Sequence, residues 1–234
     1  MSRPAWIPAE VRGIYFDAVG TILRPHPSAA EVYATVAARH GITVTAAELA
    51  LRFRQAFRHQ ESIDVTQHWR TDEAREVSRW RAIVQSCLPG SSEAVFHDLY
   101  AYFGTPAAWA VLDHLPDLLR EMTRLGYQLG VASNFDDRLN HVLTGLPELR
   151  SLTEHVVISS LVGMRKPGAE FFQAAAQRMN LRPDQLLLIG DDRVNDYDGA
   201  TAAGWHVILI DPDDKHPDVP TRIRSWKCLL EQIR

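Results

Sequence analysis

Cysteine is scarce in this chain: two in 234 residues, Cys87 and Cys228. They stand far apart, in helix-like stretches and in no metal-ligand spacing. Ordinary packing is therefore expected of both, rather than a disulfide, a redox pair or a cysteine-held metal. No apolar run approaches the roughly 20 residues that span a bilayer. The opening Met1-Ser2-Arg3-Pro4-Ala5-Trp6-Ile7-Pro8 has no hydrophobic stretch of signal-peptide type. A large charge of one sign is also missing; the net charge is −4. That argues against nucleic acid or an anionic membrane as a partner. Internal repeats and low-complexity tracts are absent. These absences lead us to expect a soluble, cytoplasmic protein. What the chain has in quantity is apolar side chains, at 46% of residues, enough for a packed core. Its length fits one large domain or a core with an insertion.

Two patterns divide the sequence. Arg12-Gly13-Ile14-Tyr15-Phe16 is short, β-prone and apolar, and reads as a buried strand with Asp17 at its carboxyl end. Gly20 offers a turn, and Thr21-Ile22-Leu23 leads to Arg24-Pro25-His26-Pro27, which is expected to break regular structure. From about Ser28 to Trp109 nearly everything reads as helix. Ser28-Ala29-Ala30-Glu31 and Thr45-Ala46-Ala47-Glu48 have capping-box spacing. A third helix is expected over Thr71–Leu88, and a fourth opens at Ser91 or Ser92 and stops at Gly104-Thr105-Pro106. From Val111 the elements alternate. Strands are expected at Gln128–Ala132, His155–Ser159, Leu186–Ile189 and His206–Ile210. Helices are expected at Leu115–Leu125, Asp136–Leu143, Gly168–Met179, Tyr197–Ala203 and Arg222–Ile233. Such alternation implies βαβ units and a parallel sheet. We therefore expect an α/β core of residues 1–24 and 111–234, with an all-helical cap, 25–110, inserted after the first strand. The insertion would lie over the sheet's carboxyl edge, where ligands bind in open parallel sheets, and could act as a lid.

Four groups fall at that edge: Asp17; Ser133-Asn134; Lys166-Pro167; and Gly190-Asp191-Asp192 with Asn195-Asp196. Asp17 can attack an electrophilic phosphorus or carbon. Ser133, with Asn134, can hydrogen-bond an anionic oxygen, and Lys166 can neutralise charge. Asp17 and Asp191 can share a hard divalent cation such as Mg²⁺. Each group also has a structural reading. Asp17 can close a turn, Ser133-Asn134 and Asp191, Asp192 and Asp196 can cap helices, and Lys166 can be a solvated loop charge. All four in this order, each at the same edge, favour a site.

These motifs, Phe-Asp17-Ala-Val-Gly-Thr21, Ala-Ser133-Asn134, Lys166-Pro167 and Ile-Gly-Asp191-Asp192-Arg-Val-Asn195-Asp196, resemble those of the haloacid dehalogenase superfamily of hydrolases over the whole chain. The resemblance implies a Rossmann-like, doubly wound parallel sheet with a helical cap of the family's first type. It implies Asp17 as nucleophile and Ser133 and Lys166 as catalytic partners. Thr21, Ser133, Asn134 and Lys166 would bind a small phosphorylated substrate. Mg²⁺ would be held by Asp17, the Val19 carbonyl, Asp191 and Asp196, the last also able to orient Lys166.

One position departs from the pattern. Family phosphatases usually carry a second aspartate two residues after the nucleophile, as general acid and base; here that residue is Val19. The dehalogenase branch also lacks that acid but tends not to keep the glycine–aspartate motif seen at Gly190-Asp191. The combination looks most like the branch named after the rhythmically expressed gene two protein. His26, His59, His68, Asp64 and Asp192 are candidate substitutes for the acid. Trp69, Trp80 and Trp109 either line a pocket or form the cap's core. The leading expectation is a Mg²⁺-dependent phosphatase-type hydrolase. Its alternatives are a metal-independent 2-haloacid dehalogenase and a catalytically weak binding protein.

Overall fold

The computed structural model describes residues 6–232. Met1–Ala5 and Ile233–Arg234, included in the expected ranges of the opening segment and the closing helix, lie outside the described residues.

Six parallel strands form the central sheet in the order β5-β4-β1-β6-β7-β8. They are β1 (Gly13–Phe16), β4 (Gln128–Ser133), β5 (His155–Ile158), β6 (Leu186–Gly190), β7 (His206–Ile210) and β8 (Arg222–Ile223). The alternation read from sequence thus yields the expected α/β parallel sheet. β1 is central because both its faces are covered: Ile14 and Phe16 pack into one apolar cluster and Tyr15 into the other. That period-2 split fits a strand buried on both faces. Strand order reverses at β1, so its carboxyl end is the switch point of the sheet.

The insertion after β1 holds four helices, α1 (Ala29–Arg39), α2 (Ala46–Thr66), α3 (Glu73–Cys87) and α4 (Glu93–Phe103). They enclose a third apolar cluster built on Val32, Leu49, Ile83 and Phe96. Both predicted capping boxes form, at Ser28 with Glu31 and at Thr45 with Glu48. α3 starts later than expected. Asp72 accepts from the Arg75 amide as N-cap, while the Thr71 hydroxyl turns inward to donate to Glu76.

Three readings need correction. The segment Arg24-Pro25 does not break structure, since β2 (Leu23–Pro25) pairs antiparallel with β3 (Trp109–Val111) at the two ends of the helical insertion. A proline is tolerated there because the ribbon has two strands and each is an edge. The helix expected over Arg222–Ile233 is shorter: Arg222–Ile223 form β8, and α10 covers Trp226–Glu231. The Leu209 and Asp211 amides donate to the Thr221 and Ile223 carbonyls and draw those residues into the sheet. The helix expected at Tyr197–Ala203 opens earlier, as a wide π-turn at Arg193–Asp198 that runs into a short α-helical turn, Gly199–Ala202.

On the core, α5 (Leu115–Arg124), α6 (Arg138–Thr144) and α10 carry residues of the Phe16 cluster. The four-residue turn α7 (Ser159–Val162), α8 (Ala169–Met179) and α9 (Gly199–Ala202) lie toward the Tyr15 cluster.

Candidate active site

Asp17 follows β1 directly, and its amide still donates to the Ile189 carbonyl of β6. The register pairs Phe16 with Val131 and with Ile189, so Asp17, Ser133 and Asp191 emerge together at one edge. Three of the four motifs therefore meet because three adjacent strands end at one level, and the fourth, Lys166-Pro167, reaches them from the loop between α7 and α8.

Lys166 ties them together. Its ammonium is 1% exposed and donates to Asp17 Oδ1 at 2.7 Å, Asp196 Oδ1 at 2.5 Å and the Ala132 carbonyl at 2.8 Å. All three of its donors are thereby used. Burial works against this charge, but Asp17 and Asp196 outweigh burial and hold the lysine above its ordinary pKa. Asn134 fixes the lysine's backbone: its Nδ2 donates to the Lys166 carbonyl at 3.0 Å and its Oδ1 accepts from the Lys166 amide at 2.7 Å. Both polar ends of Asn134 are thus occupied by the chain itself. Thr21 is fully buried, and its hydroxyl donates to Asp191 Oδ1 at 2.9 Å. Ser133 is 2% exposed, lines the cavity beside Asp17, and its hydroxyl has no protein partner among the described residues.

Asp17, Asp191 and Asp196 place carboxylate oxygens within 4.8 Å of one another. Three carboxylates share this edge, and the ammonium touches two of them, Asp17 and Asp196. Asp191 is open toward solvent on one side, yet the surrounding protein and then Asp17 and Asp196 raise its pKa. Burial first, with Asp17 adding to it, raises Asp196 against the pull of Lys166. A divalent cation would relieve this repulsion. Two further features fit one. The Asn195 Oδ1, also on the cavity wall, is buried without a hydrogen-bond partner. The turn after Asp17 leaves the Val19 carbonyl unused, as its bonds run instead to the Ala18 and Leu23 carbonyls. Gly20 is required in that turn: its φ is +99°, and a side chain there would collide with the Asp191 carboxylate.

Above these groups opens a cavity of about 370 Å³ that runs from Asp17 into the helical insertion. Its insertion side is aromatic, with Phe53, Phe57, Trp80, Tyr100 and Phe103 on the wall, and Trp109 closes it near the ribbon. Trp80 and Trp109 therefore face the cavity, whereas Trp69 packs against the Tyr15 cluster of the core. Val19 lies on the wall, 38% exposed. His26, His59 and His68 are exposed and absent from the wall. Asp64 is 1% exposed and paired with Arg75 and Arg79. Asp192 is on the wall, but its Oδ1 accepts from the Val194 and Asn195 amides as a cap. Glu61 on α2 also lines the cavity and was missed by sequence reasoning. A signal existed: Phe53, Phe57 and Glu61 are spaced by four, along one helical face.

Comparison with known proteins identifies the family. The sequence pattern of haloacid dehalogenase-like hydrolases matches residues 11–204. The human haloacid dehalogenase-like hydrolase domain-containing protein 3 is 34% identical over 208 residues, covering 86% of this chain and 82% of that protein. The rhythmically expressed gene 2 protein of Drosophila melanogaster is 27% identical, covering 85% and 82%. Among solved structures, the magnesium-bound hydrolase YfnB of Bacillus subtilis superposes with a TM-score of 0.76 over 95% of this chain and 98% of that one. At 19% identity that likeness concerns the fold alone. The chain belongs to the haloacid dehalogenase-like hydrolases, in the group of the human and fly proteins, with a helical insertion of the first cap type.

Proposed function

We infer that the protein is a Mg²⁺-dependent phosphatase-type hydrolase that passes through an aspartyl phosphate on Asp17. The observation that carries this reading is the trio Asp17, Asp191 and Asp196 with carboxylate oxygens within 4.8 Å of one another, two of them, Asp17 and Asp196, bonded to the Lys166 ammonium. Asp17 Oδ1 is held by Lys166, while Oδ2 has no protein hydrogen bond among the described residues and is free to attack. Lys166 offsets charge on the nucleophile. The free Ser133 hydroxyl is the group on hand for a phosphoryl oxygen. Asn134 and Thr21 act one step back, the first by holding Lys166 and the second by holding Asp191. A magnesium ion bound by Asp17, Asp191, Asp196 and the Val19 carbonyl would lower the cost of bringing an anionic phosphoryl group to a carboxylate. In this reading residues 25–110 are the cap and residues 1–24 and 111–234 the catalytic core.

The aromatic wall favours a substrate whose leaving group is apolar or aromatic. A metal-independent dehalogenase has no use for a further metal-ligating carboxylate such as Asp191 beside its nucleophile, which favours phosphoryl transfer over halide release. The test is hydrolysis of phenyl phosphate and glycerol phosphate with Mg²⁺ and with EDTA, in wild type and Asp17→Asn. Hydrolysis that needs Mg²⁺, prefers the phenyl ester and vanishes in Asp17→Asn is expected. Activity surviving in Asp17→Asn refutes the covalent mechanism.

A further inference from the structure

An alkoxide leaving group must gain a proton as its bond to phosphorus breaks, and Val19 beside Asp17 has none to give. The cavity wall holds few alternatives. Arg138 and Arg165 do not release protons in proteins. The Lys166 ammonium is fully engaged. Tyr33 is pushed far up by burial, and Tyr100, also chiefly by burial, to about 12. Asp192 is tied into its cap, and the other aspartates form the carboxylate trio.

Glu61 is different. It stands at the end of the Phe53–Phe57 row of α2, on the wall shared with Asp17 and Val19. It has no hydrogen bond or ion pair among the described residues, so its carboxyl is not committed to the fold. We propose that Glu61 is the general acid and base of this site, supplied by the cap in place of a group beside Asp17. The proposal rests on the phosphatase reading above. Asp17 Oδ2 bonds to phosphorus, the ester P–O bond breaks, and the Glu61 proton passes to the departing oxygen. The Glu61 carboxylate then takes a proton from the water that attacks the aspartyl phosphate. Phosphate leaves, and Asp17 and protonated Glu61 are restored.

The electrostatics around Glu61 are compatible with this role. Burial raises its pKa first, and Asp192 from the core and Asp64 from α2 raise it further. Arg79 from α3 and Arg165 from the loop before α8 act in the opposite sense. The net shift is upward, which retains a proton to higher pH.

The test pairs two esters, p-nitrophenyl phosphate and 2-phenylethyl phosphate, whose aryl-bearing leaving groups differ chiefly in how much they need a proton. Glu61→Gln should lower kcat/KM for the phenylethyl ester by roughly 10²–10³-fold. The same variant should release a burst of p-nitrophenol followed by slow turnover, because dephosphorylation has lost its base. For the phenylethyl ester the alkaline fall of wild-type kcat/KM should vanish in Glu61→Gln. Adding Val19→Asp to Glu61→Gln should restore at least tenfold, since that side chain also faces the cavity. Equal losses on both esters without a burst, an unchanged pH profile, or no loss at all overturns the proposal. Thermal unfolding checks that Glu61→Gln is folded. Hydrolysis that survives Asp17→Asn, or wild type inert toward both esters, instead overturns the phosphatase reading itself.

Discussion

Replacing Lys166 by methionine tests whether the site is an electrostatic unit. The ammonium is 1% exposed and bridges Asp17 and Asp196, the latter also 1% exposed. Methionine keeps much of the length and removes the charge. Asp196 is left buried opposite Asp17 with no cation. Breaking a buried pair from one side typically costs about 3–5 kcal/mol. For a chain of this size each kcal/mol lowers Tm by roughly 2–4 °C, so a drop of roughly 6–20 °C is expected. The pH must be chosen with the sign in mind. Burial lowers the lysine pKa, but Asp17 and Asp196 together raise it above the free value. Its stabilisation is therefore complete below the unfolded lysine pKa, near 10.4, and fades only as pH climbs through the folded value. The carboxylate must be charged as well, and burial raises the Asp196 pKa, so thermal unfolding in EDTA is read on the alkaline side of neutrality, below the lysine range. The decisive measurement is the double-mutant cycle with Asp196→Asn. In that background Lys166→Met should cost less by about 1–3 kcal/mol, because the carboxylate it had neutralised is gone. Losses that add to within about 0.5 kcal/mol would refute the view that this lysine is retained for those charges.

Mg²⁺ at a hundredfold excess over its dissociation constant should stabilise the wild type by about 2.7 kcal/mol, or roughly 5–11 °C in Tm, and Asp191→Asn should lose most of that increment. An equal increment in both proteins, measured by thermal unfolding with and without EDTA, would place the cation elsewhere. Gly20→Ala should both destabilise, by about 1–2 kcal/mol for its left-handed backbone, and weaken the Mg²⁺ increment, because its Cβ collides with the Asp191 carboxylate. A variant with an unaltered Mg²⁺ increment would show that Asp191 can move away without consequence.

Local signals were the readable ones. The capping boxes at Ser28 and Thr45 close within three residues, so their helices could be placed from sequence. β7 matched its expected bounds because His206–Ile210 is a compact, mostly apolar run. Pairings between distant segments were not legible. β2 meets β3 across the entire helical insertion, and neither three-residue strand is long enough to show a period. β8 consists of two residues and exists because β7 offers an edge. The four motifs could be read as a set, but what each does within the set could not. Asn134 looked like a ligand for an anion, and its amide proves to clasp the backbone of a residue 32 positions away. Glu61 reads as the polar border of an apolar stripe until the core supplies the opposite wall of the cavity.

An acid carried by the cap changes what the contacts between cap and core must accomplish. Arg165, next to Lys166, pairs with Glu76 of α3 and lies 3.6 Å from Asp64 of α2. Arg79 joins Asp64 from α3, and its guanidinium lies 4.8 Å from the centre of the Phe57 ring, one turn before Glu61. Glu73 receives the Ser160 hydroxyl and the Asp137 amide, and Arg138 donates to the Tyr100 carbonyl at 2.6 Å. These groups are mostly buried, and buried ion pairs add little net stability once their desolvation is counted. They do restrict geometry, since each is costly to leave half made. A general acid next to the nucleophile in sequence is positioned by one turn of backbone. Glu61 is 44 residues from Asp17, on a helix whose placement depends on this charge cluster. On the proposal made here, proton transfer is available only while the cluster is intact. Closure of the cap would then be a condition of the chemistry as well as of substrate selection.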